Sequence, residues 1–294
     1  MRALLDEITV MLRSSTRLDA ESRADAPREA RLIAAAILDC TPGEIAHRIS
    51  QPLAERDADR IREAALRRAQ DEPLAYCVGS APFRHLVLRV DARVLIPRPE
   101  TEIVVEEALK ISAAWPGGIA VDIGTGSGAI ALALATEGRF DRVIATDVSS
   151  DALDVARDNT RQLGVAAAPI EFRAGSDLAP LEDVRARVIV SNPPYISFQE
   201  ASALPRSVRD WEPATALFAG DGGMARYVAL LSGAPRYLEP GGWLVLETDA
   251  GRALDTRALA VAEGFTDVRL VQDLSGRARV LVARMQDENR LGHR

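Results

Sequence analysis

The spacing of apolar positions divides the chain into three stretches. Over the first 75 residues the period is helical. Leu4, Leu5, Ile8, Met11 and Leu12 predict a helix over 3–12, and Pro27 can open a second with Ala30, Leu32, Ile33, Ala36 and Ile37 on its apolar side. Thr41-Pro42-Gly43 breaks that helix. A third over 53–70, rich in Arg, Glu and Ala, offers Ile61, Ala65 and Leu66 for burial. From 73 to 99 the pattern changes to short β-prone runs, 83–90 and 94–96, punctuated by Asp91 and by Pro97-Arg98-Pro99, which predict a hairpin linker.

Thr101 reads as the cap of the next helix, whose apolar side carries Ile103, Val104, Val105 and Leu109. Beyond it strands alternate with helices. The strands are expected at 119–123, 142–146, 188–190, 243–246, 268–271 and 280–282, the helices at 129–135, 151–163, 224–231 and 252–261. Short apolar strands separated by amphipathic helices predict an α/β fold with a mostly parallel sheet covered on both faces. Residues 272–279 are too few for a crossover helix, so the last strand should run antiparallel. The resulting division is a helical domain over 1–75, a β-hairpin linker over 76–98 and an α/β domain over 99–294.

Composition narrows the setting. With 47% hydrophobic and 27% charged residues, the chain is neither disordered nor a disulfide scaffold. The net charge of -7 argues against stable non-specific binding to nucleic acid, so a protein or small-molecule partner is expected. Lys110 is the only lysine, which reflects compositional bias toward arginine rather than a binding strategy. Cys40 and Cys77 form no Cys-x-x-Cys pair and no cluster with histidine, so neither a disulfide nor a metal site is expected. His47, His85 and His293 are scattered and read as structural or surface residues, and Trp211 and Trp243 as packing anchors. The N-terminus brings an acid into its first apolar stretch, and no window approaches a membrane span; a cytoplasmic protein is expected.

Two turns carry the chemistry. Residues 119–123 lead into Gly124-Thr125-Gly126-Ser127-Gly128 and then a helix, the place where open α/β sheets bind ligands. Dinucleotide loops space their third glycine one residue later. Asp122, an acid just before the loop, is a poor grip for pyrophosphate and suits a cationic cofactor such as S-adenosyl-L-methionine. Asp147, at the end of the next strand, can accept from both hydroxyls of an adenosine ribose. The second turn, Asn192-Pro193-Pro194-Tyr195, closes an apolar strand with a rigid corner rich in acceptors. The Asn192 side-chain oxygen and the Pro193 carbonyl can receive the two hydrogens of one –NH2 group, with the Tyr195 ring as a face against it. Accepting both hydrogens raises electron density on an amide nitrogen and aims its lone pair at a neighbouring methyl group.

The pairing of residues 122–128 with Asn192-Pro193-Pro194-Tyr195 resembles class I S-adenosylmethionine-dependent amino-methyltransferases. Leu95-Ile-Pro-Arg98-Pro-Glu100-Thr-Glu102 ahead of the loop is similar to the HemK/PrmC family of peptide chain release factor glutamine methyltransferases. Glu72-Pro-Leu-Ala-Tyr76, Trp211-Glu-Pro213 and the closing 273–280 segment agree with it. The resemblance implies a Rossmann-like class I methyltransferase sheet behind a small helical substrate-recognition domain. It implies methylation of the glutamine of the Gly-Gly-Gln motif in bacterial class I release factors. Gly124, Thr125, Gly126, Ser127, Gly128, Asp147 and the Asp177-Leu178 pair would then bind the cofactor with Asp122 and Asn192, and Asn192, Pro193, Pro194 and Tyr195 would hold the glutamine. An aromatic often stands where this chain has Leu178. The alternatives are a ribosomal-protein glutamine or an exocyclic base amine of RNA or DNA, which offers the same –NH2.

Overall fold

The computed structural model describes residues 1–164 and 168–286; His293 lies outside them. The described chain forms two compact units, the first comprising Met1–Ser80, Val90–Ala92 and Leu204–Trp211.

The first unit is helical: α1 (Arg2–Ser14), α2 (Ala20–Ala24), α3 (Ala26–Ile37), α4 (Pro42–Arg48), α5 (Glu55–Ala69) and α6 (Leu74–Val78). Its core gathers Ile8 and Leu12 of α1, Ile33 of α3, Ile45 of α4 and Ile61 of α5. Leu66 stays 54% exposed, contrary to its expected burial, because α5 turns Ala64, Ala65, Arg68 and Ala69 inward instead. Arg68 is nearly buried and donates to both carboxylate oxygens of Glu29, at 2.8 and 3.1 Å, and to Ser22 Oγ at 2.9 Å. Cys77 is also buried, which pushes its thiol up to about 12.

The second unit opens, from Ala81, with a hairpin of β1 (Ser80–Phe83, whose first residue belongs to the first unit) and β2 (Leu86–Arg89), turning at Arg84 and His85 in the middle of what reads as one β-prone run. Residues 94–96 form no strand. Then come α7 (Pro99–Ala114), β3 (Ile119–Ile123), α8 (Ala129–Glu137), β4 (Arg142–Asp147), α9 (Ser150–Leu163), β5 (Ile170–Ala174), β6 (Ala186–Ser191) and β7 (Ile196–Ser197). The chain continues through α10 (Arg206–Arg209, in the first unit), α11 (Ala214–Leu217), β8 (Phe218–Ala219), α12 (Ala225–Gly233), β9 (Leu238–Glu247), α13 (Ala253–Ala262), β10 (Thr266–Gln272) and β11 (Ala278–Arg284).

The main sheet has the order β10-β11-β9-β6-β3-β4-β5. β3 pairs in parallel with β4 and β6, β6 with β9, and β4 with β5. The last strand, β11, is antiparallel to both its neighbours and lies between β9 and β10. Strand period sorts the side chains. Ala120, Val188, Val190, Val245 and Val280 point to the face covered by α7 and α8, and Val121, Ile123, Ile189, Leu244 and Leu246 to the face covered by α12 and α13. By the same alternation Asp122 and Glu247 belong on the α7 and α8 face.

Breaking the Arg68–Glu29 pair strands a buried carboxylate, so Arg68→Ala should lower the stability of the helical unit by about 3 kcal/mol. Urea unfolding followed by circular dichroism checks this, and the double variant Glu29→Leu with Arg68→Met should recover most of the loss.

Candidate functional site

β3 continues to β4 and β5 on one side of the sheet, whereas β6 lies on β3's other side, so a crevice opens beyond the carboxyl ends of β3 and β6. A cavity of about 140 Å³ occupies that end. The register sets its walls: Ile123 pairs with Thr146 on one flank and with Ser191 on the other. The glycine loop, Asp147 and the Asn192 turn therefore leave the sheet at the same level.

Gly124, Thr125, Gly126 and Ser127 line the cavity with Asp147, Asp177, Asn192, Pro193 and Pro194. Gly126 has φ +54° with no atom within 4 Å of an added Cβ, so backbone conformation alone demands glycine there. Gly128 lies off the wall. Its φ is +85°, and a Cβ would meet Ala156 and Leu132 at 3.2 Å, so this glycine lets α8 start close against α9.

Asp122 lies beneath the loop, fully buried, and does not line the cavity as a direct anionic contact would require. Its Oδ2 accepts from Thr125 Oγ1 at 2.6 Å and from the backbone N–H of Ala131 at 3.0 Å, tying the loop to the first turn of α8. Its Oδ1 is buried without a hydrogen-bond partner. Burial, added to by nearby Asp147, pushes the Asp122 carboxyl up to about 7. Its charge is thus poised to be stabilised by a cation in the crevice.

Asp147 closes the loop from the other side, its two oxygens accepting from the N–H groups of Gly126 and Ser149, each at 2.9 Å. Each oxygen keeps a further lone pair for a ligand hydroxyl. Asp177, on the wall, pairs with Arg226 at 2.7 Å. Leu178 turns away into the core against α12, so it offers no face to the cavity.

At the Asn192 turn, Asn192 Nδ2 donates to Thr101 Oγ1 at 3.1 Å, and Thr101 Oγ1 donates to Glu247 Oε2 at 2.6 Å. Tyr195 is absent from the wall; its ring packs partly buried against the α12 side of the sheet, and desolvation raises its hydroxyl pKa. Val94, Leu95, Pro97 and Arg98 supply further wall. Arg98 faces the cavity and is held at 2.5 Å by Glu212, whose side chain is buried. The neighbouring acids point elsewhere: Glu102 accepts from the Arg84 N–H at 2.9 Å, and Glu100 faces Arg279.

Sequence reasoning missed Thr101 and Glu247. Arg98 takes the N-cap position of α7, and Thr101 lies inside the first turn, making no cap. The pointer to Thr101 in the sequence is its place in the 95–102 segment just ahead of the glycine loop. His85 sits at the surface near Glu137, and His47 lies in the last turn of α4. Among the described residues no cluster could hold a metal ion, and no helix is long and apolar enough to cross a membrane.

The donor set fits a cofactor with a ribose and a positive charge: a side-chain-free loop, a carboxylate at the next strand end and a buried acid with an unpartnered oxygen. Fold and site together define a class I methyltransferase that uses S-adenosyl-L-methionine. The family profile described as Methyltransferase small domain matches residues 101–207, and that described as PrmC N-terminal domain matches 10–79. A release factor glutamine methyltransferase of Cereibacter sphaeroides is 39% identical over 269 residues, 92% of this chain and 95% of the relative. One from Moorella thermoacetica is 41% identical over 243 residues, 82% and 85% of the two chains. This chain belongs to the release factor glutamine methyltransferase family. A methyltransferase from Pyrococcus furiosus shares the fold, with a TM-score of 0.53 at 18% identity over 80% of this chain and all of the other.

The buried acid gives a signed expectation. Because folding raises the Asp122 carboxyl from the ordinary 3.8 to about 7, the folded form holds the proton more tightly, and stability falls as pH rises from about 4 to 7. Glu247, also raised to about 7, contributes in the same direction. Asp122→Asn should flatten part of that decline, which denaturant midpoints measured across the window will show.

Proposed function

We propose that the protein transfers a methyl group from S-adenosylmethionine to the side-chain amide nitrogen of the glutamine in the Gly-Gly-Gln motif of class I peptide chain release factors. The observation that carries this reading is the Asn192-Pro193 corner beside the glycine loop in one cavity, within a chain so similar to release factor glutamine methyltransferases. When bound, the cofactor supplies an electrophilic methyl group on a cationic sulfur.

Residues 124–127 are assigned to the cofactor's amino-acid end, Asp147 to its ribose and Asp177 to the edge of its base. Gly128 shapes the loop, Leu178 backs Asp177 from the core, and Asp122 contributes its field from below. The acceptor turn does the rest. An amide nitrogen is a poor nucleophile because its lone pair is shared with the carbonyl. Asn192 Oδ1 and the Pro193 carbonyl accept its two hydrogens, concentrate density on nitrogen and fix the direction of its lone pair. Pro194 keeps the corner rigid, and Tyr195 anchors it from behind. Holding nucleophile and methyl in line at roughly 3–3.5 Å can supply ~7 kcal/mol or more of the barrier, so no base need act before transfer. The proton leaves once the nitrogen has become cationic. The helical first unit is assigned to holding the release factor body.

Incubation with labelled cofactor should label a release factor but neither its Gly-Gly-Gln Gln→Ala variant nor RNA. Label on both proteins, or on RNA alone, contradicts the assignment. Asn192→Ala should cut turnover at least about 100-fold while cofactor affinity changes little, measured by steady-state kinetics and calorimetry. A bound cation favours ionised Asp122, so cofactor affinity should rise with pH up to about 7 and level off above it. Calorimetry in buffers of different ionisation enthalpy should register proton release over the same window.

A further inference from the structure

Asn192 is useful to the acceptor amide in only one of its two orientations. With Oδ1 toward the substrate it accepts a hydrogen; turned by half a rotation it presents an –NH2 to another –NH2. The Asn-Pro corner fixes the backbone but not this choice. Something else must set it.

The neighbours of Asn192 do so. Its Nδ2 lies 3.1 Å from Thr101 Oγ1, and Thr101 Oγ1 lies 2.6 Å from Glu247 Oε2. Thr101 and Glu247 are 4% and 3% exposed, so water does not compete for these bonds. The three residues come from separate elements. Thr101 lies in the first turn of α7, Glu247 ends β9, and Asn192 follows Ser191, which pairs with Leu246 across the β6–β9 ladder.

We propose that Thr101 and Glu247 form a polarity-setting relay that holds the Asn192 amide with its oxygen toward the acceptor, which makes both of them positioning residues for methyl transfer. The inference rests on the function proposed above. A hydroxyl has one hydrogen, and an ionised carboxylate can only accept. The Thr101 hydrogen is therefore committed to Glu247, and Thr101 Oγ1 can only accept from Asn192. A reversed amide would set two oxygens against each other with no hydrogen between them. Glu247 thus determines the Asn192 orientation through Thr101 without touching the substrate.

The relay holds only while Glu247 is ionised. A protonated Glu247 can donate to Thr101, which frees the Thr101 hydrogen to point at Asn192 and lets the amide turn. Burial, the largest influence, and Glu100 at the start of α7 favour the protonated form. The Thr101 hydroxyl, Arg279 of β11 and Arg98 favour the ionised one, and the balance places the Glu247 carboxyl at about 7. The arginines are themselves engaged, Arg98 with Glu212 and Arg279 with Asp273. Tyr195 and Tyr227 of α12 border Glu247 as neutral phenols raised by desolvation, and Tyr227 donates to the Glu247 backbone carbonyl. Asp249, two residues on, is paired with Arg252.

The test is release-factor kinetics at saturating cofactor from about pH 5.5 to 9 for the wild type, Thr101→Ser, Thr101→Val and Glu247→Gln, with cofactor affinity as the control for folding. Thr101→Val and Glu247→Gln should lose roughly 10- to 100-fold in kcat/KM at pH 8, with cofactor affinity within about two-fold. Thr101→Ser, which keeps the hydroxyl, should recover most of the activity. The wild type should lose kcat/KM below about pH 7, and Glu247→Gln should lack that acid limb. The Asn192 side-chain N–H resonances should titrate near the same pH in the wild type and not in Glu247→Gln, a readout that needs no turnover. Wild-type kinetics in Thr101→Val, equal losses in the serine and valine variants, or an Asn192 resonance unmoved by pH would overturn the relay. An inactive wild type whose Asn192 resonance still titrates would count against the proposed function and leave the relay standing.

Discussion

The cleft depends on β3 being hydrogen-bonded in parallel on both sides, to β4 and to β6. Parallel pairing makes all three strands end at the same edge, and register brings their ends level at Ile123, Thr146 and Ser191. The residues that follow must then share one space. A glycine loop meets a carboxylate and a rigid acceptor corner there, although the loop and the corner are separated by three strands and two α-helices in sequence. The reversal of strand order at β3 leaves the crevice that they enclose.

The same strand geometry explains why two buried acids flank the crevice. Period-2 alternation sends Asp122 and Glu247 to the face under α7 and α8, where solvent is absent and each must be satisfied by hydrogen-bond donors. Asp122 finds Thr125 and the α8 backbone; Glu247 finds Thr101. Both arrangements are incomplete as pure stabilisation, since both carboxyls sit at about 7 and cost stability when ionised. That cost is reasonable at a site whose work is electrostatic: donors and charges fixed in a dry setting need no reorganisation when a cationic donor and a neutral amide meet.

Much of this was legible in the sequence because it is local. The glycine loop, the Asn-Pro-Pro-Tyr turn and the alternation of strand and helix each occupy a short window in which spacing determines conformation. The strand β5 was missed because Ile170-Glu-Phe-Arg-Ala is a partly exposed edge with no apolar run. The segment 94–96 has β-prone residues but lines a cavity without pairing to a strand. Thr101 reaches Asn192 and Glu247 across 91 and 146 residues, a separation at which no local pattern speaks. Asp122 stands out as an acid before a glycine loop, yet its place beneath that loop follows from which face of β3 it occupies, and that depends on the covering helices. Leu178 and Tyr195 show the same limit, since neighbours in a motif can point to opposite sides of a wall.

The hold on the amide nitrogen proposed for Asn192 and Pro193, beside the ligand of the glycine loop, is a matter of geometry. A crystal structure with a non-reactive cofactor analogue and a Gly-Gly-Gln peptide measures this directly. The glutamine side-chain nitrogen should lie within about 2.7–3.2 Å of both Asn192 Oδ1 and the Pro193 carbonyl oxygen, with Asn192 Nδ2 still on Thr101. A glutamine nitrogen bound elsewhere in the cleft, or facing Asn192 Nδ2, would contradict it.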